Sequence, residues 1–442
     1  QKPDKLTEMA SKPILMTGRT LSFDGDPTVD PGAVRYTEKG AVLMADGHIV
    51  WTGQAGDEPA ELSAGAVRHA YGENLILPGF VDGHVHYPQI GVIASFGTQL
   101  LDWLEKYTFP EESRFSDPAY AARTAKLFLD LLLANGTTTA AVYCTVHPES
   151  ADAFFAESSA RNLRMIAGKI LMDRNAPESV RDTAQSGYDE TKSLIAKWHG
   201  QGRNLYGVTP RFAPTSTPAQ LEACGTLMSE HPDVYLQSHV SENTDEVKWV
   251  AELFPEARSY LDVYSRFGML GARALYGHAI HMDEADLVLA AATETKFVHC
   301  PTSNLFIGSG LFRMEQIRKA GVSAMLGSDV GGGTSLSPFA AMKAAYEIAQ
   351  FGGYSLSPEE AFWLSTSGGA ETLSLGGRIG RLKPGYEADI VVLDVNSTPM
   401  IRQRMERSES LRDLLFAQMI LADDRAVRAT YASGALVYQA PA

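Results

Sequence analysis

The chain has 442 residues, of which 45% are hydrophobic and 21% charged, and its formal net charge is −15. This length exceeds the roughly 250–300 residues at which one hydrophobic core stops growing, so we expect a large domain and a smaller one. The acidic balance disfavours nucleic acid and anionic membranes as partners, because both attract a basic surface. Three scattered cysteines, no signal pattern and no apolar run of about 18 residues predict a soluble cytoplasmic protein.

Short apolar, β-branched runs alternate with stretches of helical periodicity through the middle of the chain. Eight such units predict a (β/α)₈ barrel, whose reactive groups lie at the C-terminal ends of the strands. Asp117 before Pro118 predicts a helix N-cap, and Ser357 with Glu360 predicts a reciprocal capping box. The predicted barrel strands are 75–81, 138–143, 164–171, 205–208, 234–236, 274–276, 295–298 and 323–326.

Both ends of the chain show alternating strands and turns instead. Residues 11–75 and 378–442 each contain too few strands for a stable sheet of their own. We therefore predict that the two ends combine into a small β-sandwich beside the barrel. The predicted domains are 1–75 for the N-terminal half of the sandwich, 76–377 for the barrel and 378–442 for the C-terminal half.

The segment LPGFVDGHVH ends a predicted strand with two histidines, His84 and His86. Side chains alternate faces along a strand, so both imidazoles point the same way and can bind one divalent metal. Two ordinary polar residues that leave a strand are the alternative interpretation. His239, His278 and Asp329 each end a later predicted strand, and a barrel gathers its strand ends at one mouth. This convergence favours a metal site.

Imidazoles combined with a carboxylate suit Zn²⁺, with Fe²⁺ and Mn²⁺ as alternatives. A bound cation lowers the pKa of water from 15.7 to about 7, which yields hydroxide at neutral pH. Hydrolysis of a ring then needs one group that takes the proton of water and another that protonates the ring. Asp329 and Glu242, three residues after His239, are the candidates for these two tasks. A surface carboxylate that caps the following helix is the alternative for Glu242.

The histidines and the aspartate together resemble the amidohydrolase superfamily, as does the later segment IGRLKPGYEADI. Longer strings narrow the resemblance to the guanine deaminase family within it. The resemblance implies hydrolytic deamination of guanine to xanthine and ammonia in purine catabolism or salvage, by a homodimer. The strings are VHYPQ (85–89), LDWLEKYTFPE (101–111), MDRNAP (172–177), TPRFAPT (209–215), HVSEN (239–243) and CPTSNL (300–305).

The resemblance implies a single metal ion per chain, held by His84, His86, His239 and Asp329. Two-metal members carry a bridging carboxylated lysine on the fourth strand, and the predicted fourth strand here contains no lysine. The resemblance also implies that Asp329 accepts a proton from water and that Glu242 shuttles a proton to the ring.

The resemblance assigns the remaining site residues to the substrate. His278 would polarise it, and Gln89, Arg211 and Phe212 would contact the purine. A guanidinium suits the O6/N7 edge of guanine, and an amide both donates and accepts. Trp103 would form a second aromatic wall beside Phe212, although packing within the barrel is the alternative for both rings.

Two other functions stay open at this point. Another mononuclear deaminase or chlorohydrolase of the superfamily would act on a triazine, a pyrimidine such as cytosine or a modified purine. A catalytically silent scaffold with the same barrel is the non-enzymatic alternative. The presence of every proposed ligand and of Glu242 argues against the scaffold, and Arg211 with Gln89 argues against the other substrates.

Overall fold

The computed structural model describes residues 12–441, and the elements below are those of this range. The strands are β1 Ile14–Phe23, β2 Val34–Ala45, β3 His48–Gln54, β4 Val67–Pro78, β5 Phe80–His86, β6 Thr137–Tyr143, β7 Arg164–Gly168, β8 Ile170–Leu171, β9 Leu205–Pro210, β10 Tyr235–Val240, β11 Ala274–His278, β12 Lys296–His299, β13 Ala324–Leu326, β14 Ile390–Leu393, β15 Val427–Ala432 and β16 Ala435–Gln439. The helices are α1 Ala60–Ser63, α2 Leu100–Trp103, α3 Phe109–Glu112, α4 Pro118–Ala134, α5 Pro148–Ala160, α6 Ala184–Trp198, α7 Pro218–Glu230, α8 Thr244–Leu253, α9 Tyr260–Arg266, α10 Glu284–Ala292, α11 Pro301–Phe306, α12 Met314–Lys319, α13 Pro338–Phe351, α14 Pro358–Leu364, α15 Ser367–Thr372, α16 Pro399–Met405 and α17 Leu411–Leu421.

The middle of the chain forms the barrel that the sequence predicts. Eight parallel strands follow one another in the order β5, β6, β7, β9, β10, β11, β12 and β13, and the short β8 pairs with β9. Backbone hydrogen bonds join the first strand to the residues that follow the last strand. The Asp329 amide donates to the His84 carbonyl (2.8 Å), and the His86 amide donates to the Val330 carbonyl (2.9 Å). Helices separate consecutive strands along the chain, so the predicted (β/α)₈ architecture is confirmed.

The interior of the barrel is packed with apolar side chains below the strand ends. Each of six strands contributes one of them to a single buried cluster, and each is at most 5% exposed. A (β/α)₈ barrel is therefore a packed core and not a pore, which leaves the C-terminal mouth for a ligand. The six side chains are Val81, Ala141, Ile166, Leu275, Val298 and Met325.

Strands from both ends of the chain form a second sheet beside the barrel, as predicted. Its seven strands lie in the order β16, β15, β14, β4, β1, β2 and β3. β4 joins the two ends, because it pairs in parallel with β1 and antiparallel with β14. The strands of the predicted sandwich thus form a single hydrogen-bonded sheet. The domain boundaries stay predictions, and residues 1–11 and 442 lie outside the described range.

The first predicted barrel strand, 75–81, is wrong in its boundaries. The structure divides this apolar run: β4 ends at Pro78 in the terminal sheet, and β5 begins at Phe80 in the barrel. Gly79 separates them, and a Cβ at this position would lie 2.0 Å from Thr138 Oγ1. An unbroken apolar run is read as one strand because hydrophobicity alone does not record a change of sheet.

The helix caps follow the sequence in part. The Asp117 side chain accepts from the Ala119 amide at the start of α4. The Ser357 side chain accepts from the Glu360 amide at the start of α14, but the reciprocal bond of a capping box is not formed. The Glu360 carboxylate instead accepts from the Tyr354 hydroxyl (2.8 Å) and from Arg318. Within residues 12–441, no helix is both long and apolar enough to cross a membrane.

Candidate active site

Strands on opposite sides of the barrel bring the predicted metal ligands together at the C-terminal mouth. His84 and His86 alternate with Val85 at the end of β5, and their Nε2 atoms lie 3.2 Å apart. The Nε2 atom of His239 on β10 lies 3.3 Å from that of His86. Asp329, three residues after β13, places Oδ1 3.3 Å from His84 Nε2 and 3.4 Å from His86 Nε2.

These distances fit one metal ion. Ligand atoms at roughly 2.0–2.2 Å from a tetrahedrally coordinated ion lie roughly 3.3–3.5 Å from one another. A second grouping exchanges His86 for His278, since single ligand atoms of His84, His239, His278 and Asp329 lie within 4.8 Å of one another. Because His86 is within 3.4 Å of the other three ligands, the spacing favours His86 as the fourth ligand and leaves His278 beside the site.

The charge states of the cluster also suit a cation. Burial lowers the pKa of His84, lowers that of His86 to about 3 and lowers that of His239 well below its usual value, so all three are neutral at neutral pH. Burial acts to raise the pKa of Asp329, but His84, His86 and His278 outweigh it and hold that pKa well below its usual range. Three neutral imidazoles and one carboxylate are a donor set for a divalent metal.

Backbone and amide groups fix two of the imidazole rings. His239 Nδ1 donates to the Arg211 carbonyl (2.6 Å), which directs the Nε2 lone pair toward the cluster. His278 Nδ1 lies 2.9 Å from Asn304 Oδ1 on α11. His278 has a φ of 76° and Asp329 a φ of 48°, so both adopt the left-handed conformation that non-glycine residues rarely take. Such conformations occur where a functional side chain is held in place.

Gly277, immediately before His278, makes room for the ring of His84. A Cβ at this position would lie 2.6 Å from His84 Cε1 and Nδ1. No side chain larger than hydrogen fits there without moving the ring of His84, so the glycine is part of the site.

Glu242 and His278 lie beside the cluster formed by His84, His86, His239 and Asp329. Glu242 is 3% exposed, and its Oε2 is 3.3 Å from His278 Nε2, which in turn is 3.6 Å from Asp329 Oδ2. Burial raises the pKa of Glu242 well above its usual value, and the charges of Glu246 and Asp329 raise it further. Asn243 and Glu246, not Glu242, cap α8. Glu242 is therefore a buried acid that faces the cluster and whose surroundings favour its protonated form, in contrast to the surface capping alternative.

A cavity opens onto the cluster, and every predicted substrate residue lines it. Gln89 follows β5, Arg211 and Phe212 follow β9, and Trp103 ends α2. The sequence did not predict the other side chains that line the cavity. Nothing in the local sequence distinguishes these apolar residues from apolar residues of the core. These are Leu100, Leu104 and Ile307.

Glu112 is the polar residue that the sequence interpretation missed. Both of its carboxylate oxygens accept from Arg211 Nη1, at 3.0 and 2.9 Å, and Oε1 also accepts from Gln89 Nε2 at 3.1 Å. Glu112 ends α3, which has only four residues and gives no periodic signal. Its partners lie 99 and 23 residues away in the chain, so no local pattern identifies the contact.

Comparisons with known proteins agree with this geometry. Residues 75–437 match the amidohydrolase family. The guanine deaminase of Escherichia coli K12 is 44% identical over 436 residues, which covers 98% of this chain and 99% of that protein. A solved structure of E. coli guanine deaminase has a TM-score of 0.94 at 42% identity and covers 96% of this chain and 99% of that one. The guanine deaminase of C. acetobutylicum, solved with guanine in its active site, has a TM-score of 0.87 at 27% identity and covers 97% of this chain and 100% of that one. The chain belongs to the amidohydrolase family.

Proposed function

We propose that this chain catalyses the hydrolytic deamination of guanine to xanthine and ammonia. The observation that carries the proposal is the cavity, which Arg211, Gln89 and Phe212 line together with the histidine cluster and Glu242. Guanine presents the adjacent acceptors O6 and N7, and a guanidinium offers only donors. The relatives that cover nearly the whole chain are guanine deaminases, which supports the same substrate.

The residues of the site divide the reaction between them. A divalent cation supplies Lewis acidity, which lowers the pKa of water from 15.7 to about 7. Asp329 accepts the proton of the water that adds to C2, and Glu242, whose burial favours its protonated form, donates to N3. His278 is within 3.6 Å of both carboxylates and hydrogen-bonds the oxygen added at C2. The proton held by Asp329 then passes to the amino nitrogen, the bond from C2 to that nitrogen breaks, and ammonia leaves. The hydroxyl on C2 returns a proton to Glu242 as the carbonyl of xanthine forms.

We propose that the metal is a single Zn²⁺ held by His84, His86, His239 and Asp329, with Fe²⁺ or Mn²⁺ as alternatives. The three imidazoles and one carboxylate support zinc. The fourth barrel strand, β9, contains no lysine that would bridge a second metal. Elemental analysis is expected to find one zinc per chain, and two tightly bound metals at saturation would contradict the proposal.

The test of the reaction is direct. Zinc-loaded protein incubated with guanine is expected to release xanthine and ammonia in equal amounts. Adenine has an amino group where guanine has O6, which opposes the donors of Arg211 with another donor. A site that leaves buried polar groups unpaired rejects an analogue by roughly 10⁴–10⁵-fold, so adenine should be a poor substrate. Equal turnover of adenine, or unaltered guanine turnover by Arg211→Met, would exclude this substrate assignment.

We further propose that the chain acts as a homodimer in the cytoplasm. Cys144, Cys224 and Cys300 are all free and buried, which suits a reducing compartment. Light scattering of the purified protein and fractionation of the source cells test the two statements separately. The mass of a monomer, or recovery outside the cytoplasm, would contradict the respective one.

A further inference from the structure

Glu112 connects the two polar side chains that line the proposed purine site. It is fully buried at the end of α3 and does not itself line the cavity. Arg211 donates to both of its carboxylate oxygens, at 3.0 and 2.9 Å, and Gln89 donates to one of them at 3.1 Å. Any effect of Glu112 on a ligand must therefore act through Arg211 and Gln89.

The contacts give the Gln89 amide one orientation. Its Oε1 accepts from the Gly331 amide at 3.1 Å, while its Nε2 faces Glu112. An ionised carboxylate only accepts hydrogen bonds, so a reversed amide would lose both interactions. One N–H of Gln89 and the donors of Arg211 other than those on Nη1 are then left for a ligand.

The same contacts balance the charge of Arg211. Its side chain is 4% exposed, and its guanidinium carbon lies 5.5 Å from the ring centre of Phe109. A buried cation without a counter-charge is strongly unfavourable, and Glu112 supplies that charge within hydrogen-bond distance. The other carboxyl groups of the cavity, Glu242 and Asp329, face the histidine cluster. A neutral Arg211–Glu112 pair retains donors for a neutral purine but offers an anion little net attraction.

We infer that Glu112 is a positioning residue that determines specificity: it orients Arg211 and Gln89 and, by neutralising Arg211, makes the site select neutral purines over purine anions. The inference rests on the proposed function for the identity of the ligand. The pairing of Glu112 with Arg211 and its consequence for ligand charge can be measured independently of turnover.

The experiment compares Glu112→Gln, Arg211→Gln and the double variant with the parent, all loaded with zinc. Glu111→Gln is the matched control, because Glu111 lies on the same short helix but bonds Tyr120 and Arg114 instead. The measurements are bound zinc, the thermal midpoint, kcat and KM for guanine, and the affinities for two competing purines at neutral pH. Hypoxanthine is neutral and urate is an anion under these conditions.

Glu112→Gln should keep its zinc and raise KM for guanine by roughly 10- to 100-fold, with a smaller change in kcat, since a hydrogen-bonded charge contact is lost. The ratio of urate to hypoxanthine affinity should rise by about tenfold or more, because Arg211 is then an unpaired cation. The double variant lacks both charges of the pair. Its thermal midpoint and its ratio of urate to hypoxanthine affinity should therefore equal those of the parent, whereas its KM for guanine should stay above the parental value. Glu111→Gln should match the parent in all these measurements.

If Glu112→Gln does not fold, Arg211→Gln is compared with the double variant instead. In this comparison the unpaired charge is an anion rather than a cation, so the expected change in urate affinity is a decrease. The unpaired Glu112 should then reduce urate binding by about tenfold or more relative to the double variant. Parental KM and affinity ratio in Glu112→Gln, or a double variant with the affinity ratio of either single variant, would overturn the inference. A parent that fails to deaminate guanine would refute the proposed function, whereas the affinity ratios would still decide the role of Glu112.

Discussion

The two carboxyl groups beside the histidine cluster have opposite proton affinities although both are buried. For Asp329, burial is outweighed by His84, His86 and His278, so its pKa lies well below the usual range. For Glu242, burial and the charges of Glu246 and Asp329 raise the pKa well above it. Environments that separate the pKa values of paired acids identify a proton acceptor and a proton donor.

Replacement of Glu242 by glutamine tests its role as the proton donor. The amide is nearly isosteric, but it cannot give up and regain a proton, so kcat for guanine should fall by roughly 10²–10⁴-fold. Zinc content and the thermal midpoint should stay at the parental values, because none of the four proposed zinc ligands is changed. Steady-state kinetics with elemental analysis of the same preparation measure both. Near-parental kcat would remove Glu242 from the mechanism.

Site residues at strand ends could be predicted from the sequence. A residue that acts through contacts with residues distant in the chain could not. His84 and His86 follow from the alternation of side chains along a strand, and His239 follows from an apolar run that stops at a histidine. Glu112 could not be found in this way, because the role inferred for it depends on its contact with Arg211, 99 residues later in the chain. Burial and pairing of a charge are properties of the folded chain, and no local pattern records them.

The barrel and the terminal sheet are joined by a buried group of charges on elements remote from the cavity. Arg164 on β7 donates from Nε to Glu387 (3.1 Å), and Arg203, just before β9, donates to Glu387 and Asp389 (both 2.8 Å). Glu387 and Asp389 directly precede β14 of the terminal sheet. The two arginine side chains are 4% and 9% exposed, so their charges depend on these partners.

Substitution of Glu387 by glutamine should destabilise the protein without affecting the site. Removal of one partner from a buried ion pair costs roughly 3–5 kcal/mol, and we expect about 3 kcal/mol because Glu387 is partly exposed. The free energy of unfolding in urea measures this loss, and kcat/KM for guanine should be unchanged.

Glu359→Gln is the control for this prediction. Glu359 pairs with Arg412, whose side chain is 68% exposed, and such surface pairs contribute about 0–1 kcal/mol. Equal losses of stability in the two variants would contradict the assignment of Glu387 as the buried connection.

Element boundaries were predicted less well than element types. Six of the eight predicted barrel strands each overlap a single strand of the barrel. The predicted strand 164–171 contains both β7 and the short β8, and 75–81 contains parts of β4 and β5. At Pro78 the chain leaves a strand that pairs with β14, more than 300 residues later in sequence. A pairing between such distant segments changes where a strand ends. The hydrophobic periodicity near residue 78 contains no information about that pairing.

At the scale of the whole molecule, the association of the chain ends was predictable but the strand order was not. The strands that the sequence pattern indicated at each end were too few for a stable sheet, so a partner could be predicted for each. The order, with β4 parallel to β1 and antiparallel to β14, depends on contacts across the whole sequence. The proposed metal site has the same non-local character, since the residues assigned to it extend from His84 to Asp329.

The last prediction follows from this spread of ligands over the barrel. An ion that binds β5, β10 and the residues after β13 in the native state alone stabilises the fold by mass action, by about 4 kcal/mol at a thousandfold excess over Kd. A chelator should therefore lower the thermal midpoint, and hydrogen exchange should quicken at the ends of β5 and β10 more than in β14 and β15. His84→Ala lacks a ligand, so its midpoint should not respond to the chelator. An equal shift in His84→Ala would mean that the stabilising ion binds elsewhere, and an unchanged midpoint in the zinc-loaded parent would mean that the cluster does not connect the strands.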